Sequence, residues 1–146
     1  MKKYLHYVIL ILVISAGCSN LKTSISKIDY QHMLVGEWEA TLKGEPGRFI
    51  FKDNSEADVI IGGKPLNDDE NIAIQYLLDP STKPMSLDIV FACKCNPHEY
   101  RLLTILEFLD DDKIKIRFDF QTGKRPEKFA GVDESNEVIF TKVTTN

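Results

Sequence analysis

Apolar and polar side chains alternate along the chain from Gly36 onward, and turn residues recur at short intervals. Alternation with a period of two is typical of strands that bury one face and expose the other. The clearest case is Lys113–Phe120, where every second side chain is apolar. The pattern predicts an all-β domain of eight antiparallel strands: Glu37–Leu42, Arg48–Lys52, Ala57–Ile61, Ile72–Leu78, Ser86–Ala92, Leu102–Leu109, Lys113–Phe120 and Val138–Val143.

Turn chemistry separates these predicted strands. Gly44–Gly47, Gly62-Gly63 and Asp110–Asp112 carry the Gly, Pro and Asp residues that favour turns. Eight short strands favour an up-and-down barrel or a sandwich, and closing a barrel removes exposed sheet edges. An eight-stranded barrel is either filled by its side chains or holds one small ligand. Before the strands, Ser26–Leu34 is expected to form a short helix with its first residue as N-cap.

The first residues have the layout of a secretory signal peptide. A positive start at Lys2-Lys3 precedes a short apolar run, Tyr4–Ile14, and a small-residue site, Ser15–Cys18. The apolar run is too short to span a bilayer comfortably. The end of this segment, Ala16-Gly17-Cys18, resembles the lipobox of bacterial lipoproteins. In that family the cysteine is acylated and the chain is cut before it, which here predicts lipidation at Cys18.

The lipobox resemblance divides the chain into a signal peptide at 1–17, a lipidated cysteine with a polar tether at 18–27, and a domain at 28–146. It implies attachment to the bacterial cell envelope through lipid on Cys18, at the periplasmic face of the outer membrane if the host has two membranes. Each acyl CH₂ buried in the bilayer contributes about 0.8 kcal/mol, so such chains anchor stably. Ser15 stands where the family usually has Leu or Val. Ordinary signal-peptide cleavage is therefore the first alternative, and a retained anchor helix is the second.

A second resemblance begins at Gly36-Glu37-Trp38, which is similar to the Gly-x-Trp that opens the first strand of lipocalins. An uncharacterised bacterial family of small lipocalin-like domains also resembles the chain at Leu78–Pro84 and Lys124–Phe129. The resemblance implies an eight-stranded antiparallel up-and-down lipocalin-like barrel with a short N-terminal helix. It implies no activity. In lipocalins the Trp packs across the barrel base against a basic residue of the last strand, which makes Trp38 and Gly36 structural and Lys142 the candidate partner.

The net charge of the chain limits the kinds of partner that it is expected to bind. The whole chain has a net charge of −4, and without Lys2 and Lys3 the remaining 16 basic residues face 22 acidic ones, giving −6. A domain this acidic, with no basic cluster, is not expected to bind nucleic acid. Its surface is not attracted to anionic lipid either, so membrane attachment would depend on the anchor.

Cys93, Cys95 and His98 form the one unusual cluster. Two thiols and an imidazole within six residues are ligands that a borderline metal accepts, but a closed tetrahedral site needs a fourth ligand. An exported protein favours a Cys93–Cys95 disulfide, because oxidising compartments form them and lipid would consume Cys18. A disulfide or redox-labile pair, inert thiols and a metal site are the three readings, and we expect no metal and no cofactor.

Other chemistry has little support in the sequence. Asn67–Asn71 and Asp110–Asp112 offer carboxylates, but neither has the spacing of an EF-hand calcium loop, so solvated turns are expected. The sequence has no Gly-x-Ser-x-Gly elbow and no His-Glu-x-x-His motif. We therefore expect a protein that is not an enzyme. Lys124–Phe129 is interpreted as a connection between strands, with packing over a barrel end as the alternative.

Two functions remain after these exclusions. The first is a non-enzymatic binding module for a small apolar or amphipathic ligand, which requires a cavity that the inward side chains leave unfilled. The second is a protein-interaction module, such as a periplasmic inhibitor, an immunity protein or an envelope-assembly factor, which requires a filled barrel and recognition by loops around Cys93–Tyr100 and Gly123–Ser135. The expected partners are therefore the membrane and either a small hydrophobic ligand or an envelope protein.

Overall fold

A computed structural model of the protein describes residues 28–69, 71–119, 122–129 and 136–144. These residues form nine antiparallel strands in one curled, half-barrel sheet, preceded by one short helix. The all-β antiparallel class predicted from the alternation is confirmed. The helix α1 spans Tyr30–Leu34, and the strands are β1 Gly36–Leu42, β2 Glu45–Phe51, β3 Ala57–Ile61, β4 Lys64–Pro65, β5 Ile72–Asp79, β6 Met85–Cys93, β7 Asn96–Phe108, β8 Lys113–Phe118 and β9 Glu137–Lys142.

The order of strands across the sheet is β4-β3-β2-β1-β9-β8-β7-β6-β5. Consecutive strands pair with each other, except that β4 and β5 lie at opposite edges of the sheet. The last strand, β9, pairs with β1 as well as with β8. The sheet curls until the start of β3 approaches β5, where Glu56 bridges Gln75 and the Tyr76 N–H donates to the Ser55 carbonyl at 2.9 Å. The twist of strands gives long sheets this curvature and brings their edges together.

The prediction of eight strands was wrong by one. The additional strand is β4, a two-residue piece that pairs with Ile60 and Ile61 at the edge of the sheet. It follows the Gly62-Gly63 turn, where both residues adopt positive φ. Alternation cannot be recognised over two residues, and a proline is tolerated in a strand at such an edge.

Several strand ends also differ from the prediction. The β1–β2 hairpin turns at Lys43 and Gly44, both with positive φ, so β2 begins at Glu45 instead of Arg48. Two-residue turns of this kind suit the twist of a hairpin. Strand β7 begins at Asn96, six residues before the predicted start, after a register shift at Ala92 and Cys93.

Helix α1 is shorter than the predicted helix over 26–34. Asp29 caps it by accepting the His32 N–H at 3.1 Å. The predicted cap, Ser26, lies outside the described residues, as do the predicted signal peptide, Cys18 and the tether. Within the part of the chain that the structure describes, no helix is long and apolar enough to cross a membrane.

The concave face of the sheet carries the core. Alternate side chains of every long strand point inward and are buried, as the period of two requires. The largest fully buried side chains are Trp38, Tyr76, Phe51 and Phe140. Two of them contact α1, Trp38 through the Leu34 carbonyl and Tyr76 through Gln31.

A candidate ligand cavity and the disulfide at its mouth

Helix α1 covers one end of the half-barrel, which we call the base. The fully buried Trp38 indole donates from Nε1 to the Leu34 carbonyl at 2.8 Å. Lys142, its cross-strand neighbour on β9, donates from Nζ to the Met33 carbonyl at 3.2 Å. The same ammonium lies 5.1 Å from the Trp38 ring centroid, within the range of a cation–π interaction. Two side chains therefore satisfy the last carbonyls of α1 and fix the helix to the sheet.

Gly36 makes this arrangement possible. Its φ of +134° lies in a region that L side chains rarely adopt, and a Cβ there would stand 3.0 Å from Cε of Lys142. The stem of Lys142 thus passes over the bare glycine on its way to Trp38. Lys142 is the residue that the lipocalin resemblance proposed as the basic partner of Trp38.

The opposite end of the half-barrel contains an apolar cavity of about 420 Å³. Its deep wall consists of buried side chains from five strands, and its rim consists of partly exposed ones. Leu66 and Tyr100 at the rim are 41% and 61% exposed, so the cavity opens to solvent. The deep wall comprises Phe49, Val59, Ile89, Leu102 and Phe118, and the rim comprises Leu42, Lys43, Glu45, Ile61, Leu66, Phe91, Tyr100, Asn136 and Val138.

Leu42 on the cavity rim packs over Gly47 of β2, where an added Cβ would come within 2.6 Å of Leu42 Cγ. Of the lining side chains, only Lys43, Glu45, Tyr100 and Asn136 carry polar groups, and all four belong to the rim. The interior is therefore apolar at depth and polar at its mouth, and the side chains of the half-barrel do not fill it.

A disulfide lies beside this mouth, in the turn between β6 and β7. Cys93 and Cys95 are bonded through their sulfur atoms, with Cα atoms 5.2 Å apart. Phe91 and Tyr100, on the two strands that the turn connects, form an aromatic pair at 6.0 Å and line the cavity. A ring that encloses one intervening residue removes little entropy from the unfolded chain, about 2 kcal/mol or less in the loop-closure treatment.

The predicted ligand set of Cys93, Cys95 and His98 does not form a metal site in the structure. In the ranges described above, no three His, Cys, Asp or Glu side chains come together in an arrangement that could hold a metal ion. The two thiols are instead bonded to each other.

The acidic turns bond to their own backbone. Asp69 accepts both the backbone and the side-chain N–H groups of Asn71, at 2.9 and 2.8 Å. Asp110 accepts the Asp112 N–H at 2.9 Å. These are Asx turns, in which a carboxylate stabilises the bend itself.

A segment at 122–129, here called the strap, packs on the outer face of the sheet. Arg125 donates from Nη1 to the Thr104 carbonyl at 2.7 Å. Its Nη2 lies 2.7 Å from Oδ1 of Asp88, whose side chain is only 14% exposed. This ion pair joins the strap to β6 across 37 residues of sequence, and sequence reasoning missed it because no local pattern connects the two positions.

Two further contacts hold the strap. Arg117 on β8 donates to the Lys128 carbonyl at 2.7 Å, and Lys115 lies 4.4 Å from the ring centroid of Phe129. The side chains of Asp88, Lys115 and Arg117 point away from the core, and Thr104 contributes only its backbone carbonyl. The alternative interpretation of Lys124–Phe129, packing over a barrel end, was therefore wrong, because the strap covers the convex face of β6, β7 and β8.

Comparisons with known protein families, with curated proteins and with solved structures found no match to this chain. The cavity, the base and the disulfide are therefore the grounds on which a function can be argued. The lipoprotein and lipocalin resemblances stay predictions.

Proposed function

We propose that the protein is a non-enzymatic binding module that holds one small apolar or amphipathic molecule in the cavity opposite α1. The observation that carries this proposal is the open apolar cavity of about 420 Å³. Protein sites for small molecules are typically concave, about 300–1,000 Å³ in volume, and mostly apolar with a few polar groups. An unfilled interior is also the feature that separates this function from the protein-interaction alternative.

The lining defines the chemistry of the ligand. Phe49, Ile89 and Leu102 offer only carbon atoms at depth, where a charged or strongly polar group would lose its water without a partner. Each CH₂ that the ligand buries there gains about 0.8 kcal/mol. Lys43 and Asn136 at the rim can meet a polar end. The expected ligand therefore enters with its apolar part first and keeps its polar end at the mouth.

The proposal includes a location and a finer fold. A lipid on Cys18 attaches the domain to the cell envelope, at the periplasmic face of the outer membrane if the host has two membranes. The half-barrel represents a lipocalin-like barrel, which is supported by the return of β9 to β1 and by the contact of α1 with Trp38 at the base. Replacing Cys18 by Ser is expected to remove the acyl mass and to release the protein from the membrane fraction.

Native mass spectrometry of residues 19–146 is the first test. An extra mass that dissociates on denaturation would identify a bound molecule, and its value would distinguish a lipid-like compound from a metal ion. A bare mass leaves the cavity to be probed by titration with N-phenyl-1-naphthylamine, a neutral apolar fluorophore.

A matched pair of variants locates the binding. Ile61 lies on the cavity rim, whereas Ile60, the preceding residue on β3, points to the outer face. Ile61→Trp is expected to weaken probe binding at least about tenfold, or about 1.4 kcal/mol, while Ile60→Trp leaves it unchanged. Equal affinities for both variants would mean that the probe does not use the cavity. If the protein also carries no extra mass, a protein partner becomes the better proposal, to be sought by crosslinking in the envelope.

A further inference from the structure

The disulfide at the cavity mouth contributes little to the stability of the fold. Cys95 is an exposed residue and Cys93 a half-buried one, so the bond lies in a turn at the surface. Strands β6 and β7 already pair over Met85 to Ala92 without it. Because the bond encloses only Lys94, it restricts the unfolded chain little. Its absence would leave the ladder, and with it the core, in place.

The geometry around the bond favours attack at Cys95. Because Cys95 is the more exposed residue of the two, we expect a thiolate from solvent to attack its Sγ, with Cys93 as the leaving group. The Cys95 backbone N–H donates to Sγ of Cys93 at 3.3 Å. A donor already directed at the leaving sulfur stabilises the thiolate that forms there, and Lys94 adds a positive charge to the same turn. A leaving thiol that is stabilised as thiolate departs faster.

The turn is held while the bond opens. The Lys94 N–H donates to the Asn71 carbonyl at 2.8 Å, which ties the turn to the residue before β5. The two sulfurs therefore remain near each other after cleavage, so the reaction can run in both directions.

We propose that Cys93–Cys95 is a site of reversible thiol–disulfide exchange with small thiols. The thiolate of the incoming molecule attacks Sγ of Cys95, forming a mixed disulfide and breaking the Cys93–Cys95 bond, whose electron pair stays on Cys93 as thiolate. A second small thiolate then attacks the mixed disulfide at the sulfur of the first molecule and releases Cys95 as thiolate. Two small thiols are thereby oxidised to one disulfide, and the protein gains two electrons as a dithiol.

Small thiols are the proposed partners because Lys94 and Cys95 are exposed, so a freely diffusing thiol can reach the bond without a change in the fold. The turn adjoins Phe91 and Tyr100 at the cavity mouth but does not line the cavity. The exchange does not require the cavity to be occupied, so its test is independent of the test of ligand binding.

The experiment uses the full chain in detergent micelles at neutral pH, exposed to glutathione buffers of graded ratio, then acid-quenched and alkylated. Trypsin cuts after Lys94, so peptide masses report whether Cys93 and Cys95 are linked, apart from Cys18. The fluorescence of Trp38, the single tryptophan, reports the fold. We expect the bond to open in millimolar reduced glutathione and to close again in oxidised glutathione, with the Trp38 signal unchanged. A bond that opens only as the Trp38 signal is lost would overturn the proposal.

The mixed disulfide formed early in the reaction tests the direction of attack. Because trypsin separates Cys93 from Cys95, acid-quenched peptides from short exposures to reduced glutathione are expected to carry glutathione on Cys95 at least about tenfold more often than on Cys93. Equal amounts on the two cysteines, with the folded Trp38 signal kept, would contradict the assigned roles of the sulfurs.

Discussion

Replacing Trp38 by Phe tests how the base of the half-barrel is held. The change keeps an aromatic ring but removes the Nε1–H that donates to the Leu34 carbonyl at 2.8 Å. That carbonyl is buried, and an unpaired buried acceptor costs about 1–3 kcal/mol. The ring also loses part of its attraction for the Lys142 ammonium at 5.1 Å, which is worth about 0.5–2 kcal/mol.

Together these losses predict that Trp38→Phe lowers the free energy of unfolding by about 2–4 kcal/mol. For a domain of this size, that corresponds to a fall in Tm of roughly 10 °C. Urea denaturation and thermal melting followed by circular dichroism measure both quantities without relying on tryptophan emission. Truncation to Ala is expected to cost more, about 3–5 kcal/mol, because it also leaves a cavity.

Lys142→Met separates the two contributions. Methionine keeps much of the stem over Gly36 but removes the charge and the hydrogen bond to the Met33 carbonyl. A double-mutant cycle with Trp38→Phe should give a coupling energy of about 0.5–2 kcal/mol. The reasoning would be refuted if Trp38→Phe cost less than about 1 kcal/mol, since the indole N–H would then not be holding α1.

Three further predictions concern polar contacts outside the base. Tyr76→Phe removes a hydroxyl that joins α1 to the Lys52 carbonyl, and we expect a loss of about 1–3 kcal/mol in urea denaturation. Arg125→Met leaves the Asp88 carboxylate mostly buried and unpaired, which should lower the free energy of unfolding by about 2–3 kcal/mol. The control Lys124→Met, at an exposed residue, should leave the free energy of unfolding unchanged in the same urea denaturation. Burial raises the pKa of Asp58, but hydrogen bonds from its neighbours outweigh it and hold that pKa below its ordinary value. The stabilisation from Asp58 is present above the unfolded pKa and lost as pH falls through the folded one, so Asp58→Asn should be less stable at neutral pH and lose less stability below about pH 4.

Most of the strands could be predicted from the sequence because each has one buried face. Lys113–Phe120 shows why: Ile114, Ile116 and Phe118 point inward and are buried, and the residues between them are not. The beginning of β7 was missed because Asn96 to Arg101 is largely polar, and a polar segment without alternation predicts a loop. In the structure this segment is strand, because the β6–β7 hairpin extends beyond the core.

The candidate site was predicted only in part. Alternation indicates that Val59 and Ile89 face inward, but whether inward side chains meet depends on the curl of the whole sheet, which no local pattern encodes. The same limit applies to the strap, since the pairing of Arg125 with Asp88 is a tertiary contact. The Cys93–Cys95 disulfide was one of the readings of the sequence, because two cysteines separated by one residue are close enough along the chain to bond to each other.

The line where the curled sheet approaches itself is held by fewer hydrogen bonds than the neighbouring strand pairs. Between the start of β3 and β5, the described residues share one bridge and the Tyr76 to Ser55 hydrogen bond, whereas β5 and β6 pair from Ile72 to Asp79. This contact between β3 and β5, here called the seam, is where the sheet separates at the lowest free-energy cost, because no complete ladder of backbone hydrogen bonds is broken there. Amide hydrogens along the seam should exchange earlier than those of β6. Under the proposed function, spreading the seam would enlarge the interior, so the domain could accommodate a ligand larger than the resting cavity.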